Sequence, residues 1–439
     1  MFKSKNILLL VPVLLASLCG VAQSTGTSAE EERIVAALDS LYNAFHAHRT
    51  DKRTAGDLNI YGFNELDIPQ YSDSVIKYRL SLLESPIAMD YNEHVQGFIN
   101  LYAIRKRNLT SKVLALSKYY FPMFEQILDQ QKLPLEFKYL AVIESALNPR
   151  AVSVASANGL WQFINSTGKM YGLKINTLVD ERRDPYKSTL AACQYFKDSY
   201  ALYGDWLLVI ASYNCGPGNV NKAIRRSGGK MNFWEIMPYL PKETRGYVPA
   251  FIAATYVLSY ATEHNIYPME LDIKLNVDTI HISNSTTFQK LSQITGLELS
   301  IIEDLNPAYK KGIIPWYQGS AAIVLPYEYA MKYASYRANP AGFIPATGDS
   351  VPSDVIFDDD LIVNTPPPEQ PDRTAVNKPQ KKKVHVVQRG DGLFKISRKF
   401  NVTVEDIRKW NNLKNDKLVP GQKLNIYPTT QAPRRNGNN

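Results

Sequence analysis

One stretch of this chain occurs twice. "LSQITGLELSIIEDLN", beginning at Leu291, aligns without gaps to "ISRKFNVTVEDIRKWN", beginning at Ile396. Ser292 meets Ser397, Leu297 meets Val402, and Asn306 meets Asn411. Each copy starts on β-rich sequence, runs through two short helical patterns, and closes on an apolar segment such as "QKLNIYP". Such a repeat excludes a single layered core for the whole chain. It predicts two small strand, helix, helix, strand modules, over residues 278–327 and 384–428. Between them, 341–383 includes "DDDLIVNTPPPEQPDRTAVNKPQKKK", too rich in Pro and charge to bury a core. That composition predicts an extended linker. The tail "TTQAPRRNGNN" offers no core either.

The length of 439 residues leaves room for about two to four domains. At the other end, Lys3 and Lys5 precede an apolar run from Ile7 to Leu18, with small residues at Gly20 and Ala22. This pattern reads as a secretory signal over 1–22, cleaved after Ala22, and predicts export to the cell envelope, in the periplasm. Lipid modification at Cys19 is disfavoured because Leu18, not a small residue, precedes it. Peripheral association with the envelope stays open. No second apolar run approaches membrane-spanning length.

After cleavage Cys193 and Cys215 remain. They could pair in an oxidising compartment, but two buried thiols are the plainer reading. No cysteine or histidine cluster has metal-ligand spacing, so neither metal nor cofactor is expected. His46 and His48 read as a solvated helix end. A net charge of +8 suits an anionic polymer. Much of it lies in the tail, so nucleic acid is not indicated. The 27 tyrosines fit a sugar-binding cleft as well as an ordinary core.

Residues 29–116 carry amphipathic helical patterns such as "EEERIVAALDSLYNAF" and "YNEHVQGFINLYAIRK", and predict a helical scaffold. From 117 to 263 the chain is denser in Gly, Trp and Tyr. Asp184-Pro185 reads as a capped helix start. Gly204-Asp205 ends that helix and caps the next. "WLLVIASYN" is apolar on every face and predicts a central buried helix.

One acid stands out. With Pro134 to Ser145 on a helix, Phe137, Leu140, Ala141 and Glu144 share a face. Asn148-Pro149 should stop that helix. Partial burial and the nearby helix C-terminus would both raise the carboxyl pKa. A general acid needs that shift. A glutamate that turns outward, or binds a buried arginine, would fit the same spacing. Most glycosidases need a second carboxylate. Asp184 is better explained as a cap, and Asp180 and Glu181 as ion-pair partners of Arg182 and Arg183.

"IESALNPRAVS", "GLWQF", "TGKMYGL", "DERRDP", "GDWLLVIASYNCGPGNV" and "FWEIMPYLPKETRGYVP" appear in this order. Together they resemble the lytic murein transglycosylases of the membrane-bound D type, in glycoside hydrolase family 23. "VHVVQRGDGLFKISRKFNVTVEDIRKWNN" followed by "LVPGQKLNIY" resembles a LysM module, a class that binds N-acetylglucosamine-containing glycans. Gly392 stands where that class has Thr, and the earlier copy has "NSTTF" in place of a Gly-Asp start.

The resemblance implies a mainly α chain: a lysozyme-like helical catalytic domain with an N-terminal helical extension, followed by small α+β LysM-like modules. It implies cleavage of the β-1,4 bond between N-acetylmuramic acid and N-acetylglucosamine in peptidoglycan glycan strands, leaving 1,6-anhydromuramyl ends. A single glutamate serves as acid and then base, which here is Glu144. Ser153 matches a serine near that carboxylate. Gln162 matches the residue reaching the substrate acetamido side. Tyr213 and Asn214 match a Tyr-Asn pair on the cleft wall, and Tyr247 a tyrosine close to the acid. A muramidase that uses water in the same cleft, or a glycan-binding protein with a silent site, are the competing expectations.

Overall fold

A computed structural model describes residues 49–53, 58–271, 276–316 and 321–340, and most of 383–427. The expected signal segment, Cys19, the helical pattern before Arg49, residues 341–382 of the linker, Gly392 and the tail after Tyr427 lie outside the described residues. Two compact units separate at residue 355, and each is taken by itself.

The first unit is mainly helical up to the repeat. Strand β1 (Arg49–Arg53) is followed by α1 (Asp73–Ser81) and α2 (Glu93–Asn100). The Asn92 side chain caps α2 by accepting from the Val95 amide, which satisfies a donor that the helix start leaves open. Val95, Phe98 and Ile99 form its buried stripe. The long α3 (Arg107–Gln130) runs unbroken through residues 116 and 117, the expected junction between scaffold and catalytic region. Pro122 lies inside it and removes one ladder hydrogen bond.

Next come α4 (Lys138–Ser145), α5 (Asn165–Met170), α6 (Pro185–Tyr203), α7 (Trp206–Cys215) and α8 (Pro217–Arg226). The short α9 (Phe233–Ile236) and α10 (Lys242–Arg245) lead into α11 (Tyr247–Ser259). The caps follow the sequence. Asp184 accepts from the Lys187 amide at 2.9 Å, and Asp205 from the Leu208 amide at 2.8 Å. As expected, α7 is central: Leu207 to Ser212 are all buried. One continuous apolar cluster extends from Ile76 to Ile266. The N-terminal helices therefore share their core with the helices that follow them. Each fully buried Leu or Phe contributes about 1.5–3 kcal/mol. Strand β2 (Met269–Leu271) pairs antiparallel with β1.

The first repeat copy contains β3 (Val277–His281), β4 (Thr286–Thr287), α12 (Phe288–Thr295), α13 (Leu299–Leu305), β5 (Ile313–Ile314) and β6 (Ala322–Pro326). β3 pairs antiparallel with β6, from Val277 opposite Pro326 to His281 opposite Ala322. An additional helix, α14 (Tyr327–Ala338), buries Ala330 and Tyr333 in the same core. It starts at residue 327, where the expected module ends, and packs Tyr329, Tyr333 and Tyr336 at helical spacing. This copy sits on the helical part. The Asp180 amide donates to Ala308 O at 2.9 Å, and the Lys310 amide to Leu178 O at 2.7 Å.

In the second unit β7 (Lys383–Val386) pairs antiparallel with β8 (Lys423–Ile426), and α15 (Val404–Asn411) lies between them in sequence. The aligned asparagines do the same work in both copies. Asn306 Nδ2 donates to Ile302 O and Val324 O, and its Oδ1 accepts from the Val324 amide. Asn411 Nδ2 donates to Ile407 O and Asn425 O, and its Oδ1 accepts from the Asn425 amide. Each ties a helix end to the closing strand.

Candidate active site

The site begins where α4 stops. Ala146 and Leu147 have φ of 50° and 61°, a left-handed conformation that costs a residue with a side chain about 1–3 kcal/mol. Hydrogen bonds hold it. The Ala146 amide donates to Val142 O at 2.8 Å. The buried Ser145 hydroxyl reaches both Ala141 O and Leu160 O, at 3.0 and 2.9 Å. The helix thus ends three residues before the Asn148-Pro149 step expected to stop it. Tethering of Ser145 to the Leu160 backbone turns the chain earlier.

Leu160 belongs to a folded loop over 151–163, closed by bridges from Asn158 to Val152 and to Phe163. Gly159 is required here: its φ is +83°, and a Cβ would lie 1.8 Å from Arg182 O. Trp161 is fully buried and donates through Nε1 to Thr189 Oγ1 at 2.9 Å. Gln162 has φ 47°. Its Nε2 donates to Ala151 O at 3.1 Å and Gly159 O at 2.9 Å. Among the described residues its Oε1 has no hydrogen-bond partner.

Glu144 projects from the last turn of α4 and is half-buried. Burial pushes its carboxyl up to about 7, against the pull of a hydrogen bond from Tyr247. That bond, Tyr247 Oη to Glu144 Oε1, is 2.5 Å long. Tyr247 is itself buried at the start of α11. Burial and the Glu144 charge raise its phenol.

Tyr213 and Asn214 lie near the end of α7. Tyr213 donates to Trp161 O at 2.7 Å, with its ring against Phe163, Tyr195 and Phe196. Burial raises its phenol, and Glu144 adds to the shift. Asn214 is exposed, and its Oδ1 accepts from Thr244 Oγ1 at 2.8 Å. Ser153 heads the outer turn of the loop, where its Oγ accepts from the Ala157 amide at 3.1 Å. No hydrogen bond joins it to Glu144 among the described residues.

Asp180, Glu181 and Asp184 are committed elsewhere. Asp180 is buried in a two-point pair with Arg182, at 2.9 Å to Nε and 2.7 Å to Nη2. Burial opposes its ionisation, but Arg182 outweighs that and lowers the carboxyl pKa. Glu181 accepts from the Lys174 amide at 2.6 Å and from Lys187 Nζ at 2.7 Å. Asp184 caps α6. Among the described residues no second acid contributes to the Glu144 shift, and no group of three or more His, Cys, Asp or Glu could hold a metal ion. Cys193 is a buried free thiol, whereas Cys215 is only half-buried, because it closes α7 beside the exposed Asn214.

Two features were not anticipated from the sequence: Thr244, and the carbonyls of Ala151 and Gly159. Thr244 lies inside the quoted "ETRGYVP", but nothing in the string says where its hydroxyl points.

Residues 122–235 match the family model "Transglycosylase SLT domain", 276–341 match "Lytic transglycosylase MltD, LysM-like domain", and 385–426 match "LysM domain". Glu144, Ser153, Gln162, Tyr213 and Asn214 fall inside the first match, while Thr244 and Tyr247 lie beyond it. The chain is 29% identical over 355 residues to membrane-bound lytic murein transglycosylase D of Escherichia coli K12, covering 80% of this chain and 72% of that protein. A putative soluble lytic murein transglycosylase of Haemophilus influenzae is 31% identical over 146 residues, 32% of this chain and 25% of that protein. The 70 kDa soluble lytic transglycosylase of Escherichia coli, a solved structure, shares 26% identity at a TM-score of 0.29, over 34% of this chain and 26% of that one.

Proposed function

We propose that this chain, which belongs to the lytic murein transglycosylases, cleaves peptidoglycan glycan strands with Glu144 as its single acid and base. The bond broken is the β-1,4 link from N-acetylmuramic acid to N-acetylglucosamine. With a carboxyl near 7, a large fraction of Glu144 is protonated at neutral pH and can donate to the leaving glycosidic oxygen. The resulting carboxylate then takes the proton of the muramyl C6 hydroxyl as that oxygen bonds to C1. The proton returns to Glu144, no water is consumed, and a 1,6-anhydro end remains. Tyr247 donates to the carboxylate, so it favours the ionised state reached halfway through.

The observation that carries this reading is the Glu144 carboxyl raised to about 7 beside Tyr247, with Asp180 and Glu181 paired to Arg182 and Lys187 and Asp184, also raised by burial, capping α6. A hydrolase of the usual kind needs a second carboxyl, about 5–5.5 Å away for retention or 6.5–9.5 Å for inversion. An internal hydroxyl, held close to the reacting carbon, is favoured over bulk water by proximity.

Around that chemistry we assign Gln162, Tyr213 and Asn214 to glycan binding in the cleft, with Ser153 on its rim. The division we propose is a helical extension over 29–116, a catalytic region over 117–263, a LysM-like module over 278–327, a linker over 341–383 and a LysM module over 384–428. The last module would tether the enzyme to glycan. The named relative is membrane-bound, whereas no helix among the described residues is long and apolar enough to cross a membrane. We place the protein in the envelope, exported and peripherally associated.

Digestion of purified sacculi in ¹⁸O-labelled water tests the reaction. The expected products are unlabelled anhydromuramyl ends. Mainly ¹⁸O-labelled reducing ends would make the protein a muramidase, and absence of any cleavage would leave it a glycan-binding protein.

A further inference from the structure

The side-chain amides of Gln162 and Asn214, assigned above to glycan binding, are set with opposite polarity, and a buried threonine bonds one of them. Gln162 uses its nitrogen on two backbone carbonyls, so the group left to face a ligand is an acceptor. Asn214 uses its oxygen on Thr244 Oγ1, at 2.8 Å. In that bond the hydroxyl donates and the amide oxygen accepts, which leaves Nδ2 for a ligand. Asn214 is exposed and its side chain has no other hydrogen bond among the described residues, so two N–H donors remain for a ligand. Thr244 is 0% exposed, so its hydroxyl acts on a ligand only through Asn214. It lies three residues before Tyr247, so one short segment steers both the wall amide and the acid.

We propose that Thr244 is a positioning residue that presets Asn214 as a donor to an acceptor oxygen of the glycan. Among the uncharged oxygens shared by both sugars of the strand, the acetamido carbonyl is a stronger acceptor than the hydroxyl and ring oxygens. A donor at Asn214 and an acceptor at Gln162 are the two polarities that a secondary amide demands. The assignment rests on the glycan-cleaving function above.

Binding is measured on the Glu144→Gln protein, which keeps the site but cannot turn over, by calorimetry with soluble N-acetylglucosamine–N-acetylmuramic acid oligomers. Thr244→Val keeps the shape and removes the donor, and binding should weaken about three- to tenfold, the loss of one hydrogen bond. Thr244→Ser should restore it to within about twofold. Asn214→Asp retains the acceptor for Thr244 but loses the outward donor, and should weaken binding at least as much as Asn214→Ala. In an Asn214→Ala background Thr244→Val should have no further effect. The proposal is overturned if Thr244→Val binds like the parent, if its effect persists in full without Asn214, or if Asn214→Asp binds normally. Should Thr244→Val fail to fold, the Asn214→Asp result alone decides whether an outward donor is needed. Parent protein that binds the oligomers but yields no anhydro ends from sacculi would refute the reaction and leave this recognition standing.

Discussion

Tyr247 donates to Glu144 Oε1 at 2.5 Å, across 103 residues of chain. The phenol opposes the burial that raises the carboxyl, and the balance leaves Glu144 near 7. A carboxyl with no such partner would stay protonated too firmly to act as a base. One without burial would ionise too readily to act as an acid.

Replacing Glu144 by Gln keeps the size and the bond from Tyr247 but removes the transferable proton. Release of soluble fragments from sacculi should fall by at least about 10² to 10⁴. Near-full activity in a folded Glu144→Gln protein would show that another group carries the proton.

Tyr247→Phe removes the donor that favours the ionised carboxyl, so the Glu144 pKa should rise further. A general acid works only while protonated, and activity falls as pH rises through its pKa. The alkaline limb of the kcat/KM profile should therefore move to higher pH, by about one unit. An unmoved limb, or one shifted to lower pH, would mean that this bond does not tune the acid.

The same shift makes Glu144 a stability cost above acid pH. Its folded pKa of about 7 exceeds the ordinary 4.5, so the native state binds more protons than the unfolded state between these values. Stability therefore falls as pH rises through that window and levels off above it. At pH 8 Glu144→Gln should be more stable than the parent, by at most about 3 kcal/mol. At pH 4 the difference should vanish. Urea melts of both proteins at the two pH values measure it, and a gap that widens toward pH 4 would reverse the sign worked out here.

Asp180 and Arg182 are buried together, at 3% and 7% exposure. Asp180→Asn leaves the guanidinium without its counter-charge and should destabilise the fold by about 3 kcal/mol. The folded fraction should still make anhydro ends. Loss of chemistry without loss of stability would turn Asp180 into the missing second carboxylate.

Much of the framework is written locally. Asp184 and Asp205 cap their helices because a short acid before a helix reaches amides two or three residues ahead, whatever surrounds it. The stripe from Phe137 to Glu144 follows from helical geometry. Asn306 and Asn411 align in the repeat because each makes the same bonds within its own module. α14 carries a helical stripe at Tyr329, Tyr333 and Tyr336, but it lies outside the repeat, so the repeat alignment alone does not include it.

The site itself was legible as a set of residues and not as an arrangement. The order of amino acids determined that Glu144 would sit on an apolar helix face near its end, with Gln162, Tyr213, Asn214 and Tyr247 as companions suggested by resemblance. Tertiary structure alone decided that Tyr247 meets the acid, that Tyr213 holds the Trp161 carbonyl, that Ser153 closes an outer turn, and that Thr244 orients Asn214. Caps and stripes depend on contacts within a turn or two of the same helix. The Tyr247, Tyr213 and Thr244 bonds join segments tens of residues apart, and their directions follow from how α4, α7 and α11 pack on one core; the Ser153 turn is local.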